Sequence, residues 1–250
     1  MKPKPRVAFF DFACCEGCQL QVANLGEALL DVLALADVVE FREVMSEKWE
    51  GTYDVAVVEG SITTKEAVER IARIRERTKV LVAYGACATI GGVNGMRNRH
   101  NIEDIRRTVY GDKAHFFPTI ETRAVDQVVK VDYYVHGCPI YPPEFLKVLQ
   151  SILMGIPCLP PDHAVCVECK LNENICLYEK GVTCLGPVTR AGCNSWCTNH
   201  GNICYGCRGL VSNPNESGAA DVLARYHLTA GQIANRMGMY NSCRQPGKKA

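Results

Sequence analysis

The chain has 250 residues, 47% of them hydrophobic, which is enough for one large domain or for a domain with an appendage. Its formal net charge of +1 excludes the strong basic field with which many proteins attract nucleic acid. No apolar run is long enough for a signal-peptide core or a membrane span, so we expect a cytoplasmic protein that contacts neither nucleic acid nor membrane. In that reducing compartment, fifteen cysteines favour metal binding over disulfide bonds.

The first 155 residues alternate short apolar runs with amphipathic stretches. Strands are predicted at residues 6–12, 38–44, 53–58, 79–83 and 128–135. Helices are predicted at residues 19–35, from a cap at Thr63 or Thr64 to about Arg77, at 102–110 and at 144–154. Strands that alternate with helices at this spacing imply βαβ units, so the predicted fold is α/β with a mostly parallel, flavodoxin-like sheet.

Three of the predicted strands are each followed by cysteine. Cys15 and Cys18 follow the first strand, Cys87 follows the fourth and Cys138 follows the fifth. Because open parallel sheets bind ligands at the carboxyl ends of their strands, we expect these four thiols at one edge of the sheet. Nearby glycines would let the backbone approach and direct N–H groups at sulfur: Gly17, Gly85 and Gly137.

The composition changes after residue 155, where residues 156–161 form a proline-rich linker. The chain is therefore predicted to divide into domains 1–155 and 156–250, the second small and irregular. Eight cysteines lie within 42 residues: Cys166, Cys169, Cys176, Cys184, Cys193, Cys197, Cys204 and Cys207. Hydrophobic periodicity is too weak there to form a core by itself, so disulfides, zinc or iron–sulfur clusters must hold the segment together, and the reducing compartment disfavours disulfides. Helices are predicted beyond it, at 219–226 and 229–239.

Zinc and iron–sulfur clusters are the two candidate metals. Zinc ribbons pair two C-x-x-C units across about 15–20 residues, whereas here 34 residues separate Cys169 from Cys204. Twelve cysteines in three sets of four, with a proline directly after Cys138, favour 4Fe–4S clusters, although two zinc sites stay open. A row of clusters conducts electrons, and the chain lacks G-x-S-x-G, H-E-x-x-H and P-loop motifs, so no catalytic residue is predicted.

Five motifs in this order resemble the small subunit of nickel–iron hydrogenases: Cys15-Glu-Gly-Cys18, Gly85-Ala-Cys87-Ala, Gly137-Cys138-Pro139, Cys184-Leu-Gly-Pro187 and Cys204-Tyr-Gly-Cys207. The resemblance spans almost the whole chain. It implies a flavodoxin-like domain that holds a proximal cluster beside the large subunit's nickel–iron centre. The C-terminal part would then hold a medial and a distal cluster.

The resemblance also implies a set of ligands for each of three 4Fe–4S clusters. The proximal set is Cys15, Cys18, Cys87 and Cys138. The distal set is Cys166, Cys169, Cys176 and Cys184. The medial set is Cys193, Cys197, Cys204 and Cys207.

Two positions depart from the membrane-linked, periplasm-facing members of that family. Cys166 stands where those relatives usually have histidine, and Cys197 stands where many have proline and a three-iron medial cluster. A full 4Fe–4S medial cluster, of lower potential, suits a low-potential acceptor such as NAD(P). With its compact C-terminal segment, the chain looks most like the cytosolic NAD(P)-linked group, which includes archaeal sulfhydrogenase delta subunits.

The expected function is therefore electron transfer between a hydrogenase large subunit, which turns over dihydrogen, and flavin- and iron–sulfur-containing subunits that react with NAD(P). This chain itself would hold neither nickel nor flavin. Two alternatives stay open: a hydrogenase with another acceptor, such as one linked to heterodisulfide reductase, and a zinc-stabilised scaffold. Cys14 could replace Cys15 as a ligand, no ligand role is expected for Cys158 or Cys243, and the basic tail 244–249 is expected to be solvated.

Overall fold

The computed structural model describes residues 3–243, so the basic tail lies outside the described residues. Its centre is a five-stranded sheet in which all neighbouring strands are parallel, in the order β2-β1-β3-β4-β5. The strands are β1 (Arg6–Asp11), β2 (Asp37–Phe41), β3 (Tyr53–Glu59), β4 (Thr78–Tyr84) and β5 (Tyr133–Val135). This is the flavodoxin-like strand order, and it confirms the predicted α/β class.

The first part of the chain has six α-helices: α1 (Gly17–Ala23), α2 (Glu27–Leu35), α3 (Lys65–Glu76), α4 (Gly85–Ile90), α5 (Ile102–Tyr110) and α6 (Pro142–Leu153). All except α5, which has no buried residue, contribute side chains to the two faces of the sheet. On one face, Phe9 and Val57 pack with Val32 of α2 and Leu149 of α6. On the other face, Phe10 and Leu81 pack with Ile71 and Ile74 of α3. Burial on both faces explains why the strands read as continuous apolar runs.

The predicted helix over residues 19–35 is in fact two helices. Residues 24–26 separate α1 from α2, and Gly26 has φ +60° and ψ −129°, a conformation that no helix contains. The apolar pattern continues across the break, so periodicity alone did not reveal it. A glycine at the end of one helix is the usual sign of such a break.

The fifth strand is shorter than predicted and begins at Tyr133 rather than at residue 128. The N–H groups of Val128 and Val129 donate to the Val125 carbonyl and close a turn there. The N–H of Leu81 then donates to the Asp132 carboxylate at 2.9 Å, so a side chain accepts the hydrogen bond just before strand pairing begins. Neighbouring valines gave a strand pattern to residues that form a turn.

The cysteine-rich part contains two short helices, α7 (Val165–Leu171) and α8 (Trp196–Asn199), neither of which was predicted. Two predicted helices follow, α9 (Glu216–Arg225) and α10 (Ala230–Asn241). Helix α10 returns to the first part of the chain, where the Arg99 guanidinium donates to the Ala234 carbonyl at 3.0 Å. The division at residues 155 and 156 stays a prediction.

A helix that crosses a bilayer must be both long and apolar. Across residues 3–243, no helix combines the two properties.

Candidate functional site

The carboxyl ends of four strands form one edge of the sheet. Pairing aligns Asp11 with Glu59, Glu59 with Tyr84, and Tyr84 with Val135, so the strands end in a common row. Just beyond that row lie Cys15 and Cys138 in loops, Cys18 in the first turn of α1 and Cys87 in α4. The structure therefore places the four thiols of the predicted proximal set at the same edge.

The electrostatics of these thiols shows that they are neighbours. Burial raises the pKa of Cys18 strongly, and the charges of Glu59, Cys138 and Cys87 raise it further. Burial raises the pKa of Cys87 to about 12, with Cys138, Cys14 and Cys15 contributing in the same direction. Cysteine binds metal as the thiolate, so metal binding at these positions would release protons.

Glycine is required beside two of these sulfurs. A Cβ atom at Gly85 would lie 2.5 Å from Cys18 Sγ, and one at Gly92 would lie 2.9 Å from Cys87 Sγ. Both glycines have positive φ, +81° and +56°. Gly137 also has positive φ, but a Cβ there would meet the Pro139 carbonyl rather than a thiol. The space beside the sulfurs is thus kept open by backbone, as a cluster held by closely approaching N–H groups requires.

Glu59 is a buried residue of this edge that the sequence interpretation missed. Its side chain accepts hydrogen bonds from the N–H groups of Cys18 at 3.2 Å and Gln19 at 2.9 Å. Burial raises the pKa of Glu59, and those hydrogen bonds oppose the rise. The carboxylate fixes the first turn of α1 and with it the backbone of Cys18. A charged residue that ends an otherwise apolar strand was the available signal.

The predicted medial thiols surround one cavity. Cys193, Cys197, Cys204 and Cys207 all line it, together with Cys138, Arg208 and Tyr240 among other residues. Burial raises the pKa of Cys207 to about 12, and the charges of Cys193, Cys138 and Cys197 add to the rise. The structure therefore brings together four cysteines that are spread over 15 residues of sequence.

The predicted distal thiols lie around the start of α7. Burial raises the pKa of Cys166 to about 11, and the charges of Cys184, Cys169 and Cys176 raise it further. A Cβ atom at Gly186 would lie 3.2 Å from Cys166 Sγ and 3.5 Å from Cys184 Sγ. A glycine thus again leaves room beside two sulfurs of one set.

Each set lies against the next. Cys138, of the proximal set, lines the same cavity as the four medial cysteines. The N–H of Cys204, in the medial set, donates to Cys184 Sγ of the distal set at 3.2 Å. The three sets are therefore adjacent in the order proximal, medial, distal.

The remaining cysteines have different surroundings. Cys14 is half-buried next to the proximal set, and burial raises its pKa to about 12. Cys158 packs against the core beside α6. Cys243 is buried, and its thiol donates to the Thr122 carbonyl at 3.2 Å. The choice between Cys14 and Cys15 as a ligand stays a prediction.

A site for a single metal ion differs in geometry from a cluster site. Within the described range 3–243, no three His, Cys, Asp or Glu side chains are grouped so that they could hold one ion. A mononuclear zinc site needs four sulfurs at about 2.3 Å from one point. The four thiolates of a 4Fe–4S cluster bind different iron atoms and lie farther apart. The three sets have the donor chemistry of clusters, and they do not have the geometry of a single-ion site.

The sequence profile of the family described as "NADH ubiquinone oxidoreductase, 20 Kd subunit" matches residues 15–152. The delta subunit of sulfhydrogenase 2 from Pyrococcus furiosus is 37% identical over 219 residues, 87% of this chain and 92% of that protein. A vhu subunit of an F420-non-reducing hydrogenase from Methanococcus voltae is 30% identical and covers 96% of this chain and 95% of its own length. The delta subunit of the NAD-reducing hydrogenase HoxS from Cupriavidus necator is 28% identical and covers 62% of this chain and 81% of its own length.

Solved structures show the same fold. A chain of an NAD+-reducing [NiFe]-hydrogenase in the H2-reduced state superposes with a TM-score of 0.57 at 29% identity, over 63% of this chain and 96% of that chain. A chain of the actinobacterial-type NiFe-hydrogenase from Ralstonia eutropha H16 superposes with a TM-score of 0.59 over 98% of this chain and 86% of that chain. At 16% identity, the second likeness concerns the fold alone.

Proposed function

Because the chain belongs to the family of NADH ubiquinone oxidoreductase 20 kDa subunits and nickel–iron hydrogenase small subunits, we propose that it holds three 4Fe–4S clusters and conducts electrons in a hydrogenase. The large subunit would carry the nickel–iron centre where dihydrogen is oxidised or formed. This chain would connect that centre to the electron acceptor.

The observation that carries the proposal is the contact of each thiol set with the next. Cys138 lines the cavity that the four medial cysteines surround, and Cys204 N–H donates to Cys184 Sγ at 3.2 Å. Unrelated metal sites in a scaffold have no need to touch, whereas electron transfer depends on short separations. Contact in series therefore favours conduction over a purely structural role.

When bound, each cluster supplies the exchange of one electron at a potential set by hydrogen bonds, charge and exposure. The chain's own residues determine those conditions. The twelve cysteines would bind iron as thiolates, so assembly would release protons. Burial raises the pKa of Cys87 and of Cys166 among them. Cys18, Cys184 and Cys204 are buried, which keeps water from three of the sulfurs.

The proximal set faces the outside of the molecule. Cys15 and Cys138 are exposed, although the other two thiols of the set are buried or half-buried. An open side at the sheet edge suits a partner that brings its own redox centre close. We propose that the hydrogenase large subunit covers Cys15 and Cys138.

For the acceptor, we propose a flavin- and iron–sulfur-containing partner that reacts with NAD(P), in the cytoplasm. One curated relative and one solved structure come from hydrogenases named as NAD-reducing. The full set of four thiols in the medial group supports the low potential that this acceptor needs. Fifteen free thiols also suit a reducing compartment.

A second candidate acceptor is one other than a pyridine nucleotide, for example in a complex linked to heterodisulfide reductase. This candidate is favoured by the share of the chain that aligns with each relative. The F420-non-reducing relative aligns with 96% of this chain, whereas the NAD-reducing relative aligns with 62%. Subunits that purify with the chain, and hydrogen-dependent reduction of NAD+ or NADP+ by that complex, separate the two candidates.

The proposal is tested on the complex purified without oxygen. We expect about twelve iron and about twelve acid-labile sulfide atoms per copy of this chain, in addition to those of the partner subunits, and electron paramagnetic resonance signals of reduced clusters that appear under dihydrogen. A colourless protein that contains zinc and no iron would establish the scaffold alternative instead. Iron far below twelve atoms, in anaerobic material that still turns over dihydrogen, would refute three clusters.

A further inference from the structure

Arg208 is a buried arginine with an unusually complete set of partners. Its side chain is 1% exposed and pairs with Glu144, whose side chain is 10% exposed. Nη1 and Nη2 donate to the two Glu144 carboxylate oxygens at 2.7 and 2.6 Å. Nε donates to the Ala191 carbonyl at 2.8 Å, and Nη1 also donates to the His136 carbonyl at 2.5 Å. A planar guanidinium can donate to both oxygens of one carboxylate at once in this paired geometry, and a lysine ammonium cannot.

These contacts join three places in the chain that carry predicted ligands. Arg208 directly follows Cys207, Ala191 lies two residues before Cys193, and His136 lies two residues before Cys138. One side chain therefore holds two medial cysteines against the loop of a proximal cysteine, across sequence separations of up to 72 residues. Because these residues are far apart in the sequence, a local sequence pattern cannot predict that they meet.

The fit around the guanidinium is tight. A Cβ atom at Gly192 would overlap Arg208 Nη2 and lie 2.5 Å from a Glu144 oxygen, and Gly192 has φ +116°. Any larger residue between Ala191 and Cys193 would displace the ion pair. The backbone of the medial set is thus built around this side chain.

The guanidinium borders the medial thiols. Arg208 lines the same cavity as Cys193, Cys197, Cys204 and Cys207, whereas Glu144 does not line it. Burial raises the pKa of Cys193, and the charge of Arg208 lowers it. A reduced cluster carries one more negative charge than an oxidised one, so a nearby cation favours reduction.

We propose that Arg208 is a positioning residue for electron transfer, which holds the medial thiols beside Cys138 and raises the reduction potential of the medial site. This inference rests on the proposed function, since it needs a redox centre at Cys193, Cys197, Cys204 and Cys207. Nothing in the resemblance to the family assigns a role to Arg208 or Glu144.

The test compares variants that break the same ion pair from opposite sides. Arg208→Gln removes the positive charge and Glu144→Gln removes the negative charge, in the assembled complex purified without oxygen. Arg208→Lys keeps the positive charge but cannot make the paired hydrogen bonds to Glu144. Arg75→Gln is the matched control, because Arg75 pairs with Asp132 at 3.0 Å, before the start of β5 and away from the thiols. The readouts are iron content and redox titration of the medial signal by electron paramagnetic resonance.

The two halves of the pair should shift the medial potential in opposite directions. We expect Arg208→Gln to disfavour reduction by about tenfold, which corresponds to about 59 mV for one electron, and Glu144→Gln to favour it. Arg208→Lys should stay near the wild-type potential, although it unfolds at lower temperature, and Arg75→Gln should change neither the potential nor the iron content. If Arg208→Gln does not assemble, an upward shift in Glu144→Gln supports the proposal.

A purely structural ion pair gives a different result. The electrostatic role of Arg208 would be overturned if Glu144→Gln and Arg208→Gln shifted the medial reduction potential in the same direction, or if neither variant shifted it. Wild-type complex without iron or without a medial signal would overturn the proposed function itself. The two failures are therefore distinguishable in the same experiment.

Discussion

Gly85→Ala is the sharpest probe of the predicted proximal set. Gly85 begins α4 with φ +81°, and a Cβ atom there would lie 2.5 Å from Cys18 Sγ. Two effects of the substitution can be separated. One is backbone strain, which any L-residue suffers at positive φ, and the other is the collision with a sulfur that is proposed to bind iron.

The strain has a known size. A side chain in the left-handed region costs roughly 1–2 kcal/mol, which lowers Tm by about 2–8 °C in a chain of this length. The collision of the new Cβ atom with Cys18 Sγ also displaces the sulfur. Ordinary contacts begin at 3.4 Å, so the sulfur would have to move by about 0.9 Å, far beyond the tolerance of about 0.2 Å in metal–ligand distances. We therefore expect the proximal cluster to be lost.

Gly155→Ala is the matched control for strain alone. Gly155 has φ +69°, and nothing lies within 4 Å of the Cβ position. Both variants should lose a similar amount of thermal stability. Only Gly85→Ala should lose about four iron atoms per copy of this chain relative to wild type, together with the proximal paramagnetic signal. Full iron content and an unchanged proximal signal in Gly85→Ala would contradict the assignment of Cys18.

Three further changes test other parts of the molecule. Thr64→Ala removes the hydroxyl that accepts from Ala67 N–H at 3.0 Å at the start of α3; we expect a loss of about 1 kcal/mol, seen as a Tm about 2–4 °C lower with unchanged iron. Burial raises the pKa of Asp54, but hydrogen bonds from Arg6 N–H and Lys79 bring it below its ordinary value of 3.8. Asp54 therefore stabilises the fold above that value, and the Tm difference between wild type and Asp54→Asn should vanish as the pH falls through the lowered pKa. Cys197→Pro, in the first turn of α8 where proline is acceptable, should give a three-iron medial cluster of raised potential and an unchanged proximal signal; absence of a new three-iron resonance would count against the medial assignment.

Much of the sheet domain could be predicted because its signals are local. Continuous apolar runs identify the strands, and Thr64 and Thr229 cap helices as expected of threonine before a periodic stretch. The edge location of the cysteines also followed from strand order alone. Errors occurred where a local pattern was contradicted by backbone geometry, at Gly26 and in the turn closed on Val125.

The supporting residues of the site were not predictable in the same way. Glu59 and Cys18 are 41 residues apart, and Arg208 and Glu144 are 64 residues apart. Glu59, Glu144 and Arg208 are charged residues in a sequence that is 22% charged, so their residue type alone does not distinguish them. Their importance arises from burial, and burial is decided by tertiary packing. Cysteines are different, because their spacing carries information about the metal.

The contacts between the thiol sets also relate the stability of the fold to the proposed electron transfer. The medial and distal sets are linked through the backbone, because the Cys204 N–H donates to Cys184 Sγ. The proximal and medial sets meet at the cavity that Cys138, the four medial cysteines and Arg208 line together. Arg208 holds the proximal and medial sets together, because it donates to the carbonyls of His136 and Ala191, which lie two residues before Cys138 and Cys193. The stability of the fold and the continuity of the proposed electron path therefore depend on the same hydrogen bonds, and a substitution that loosens one is expected to weaken the other.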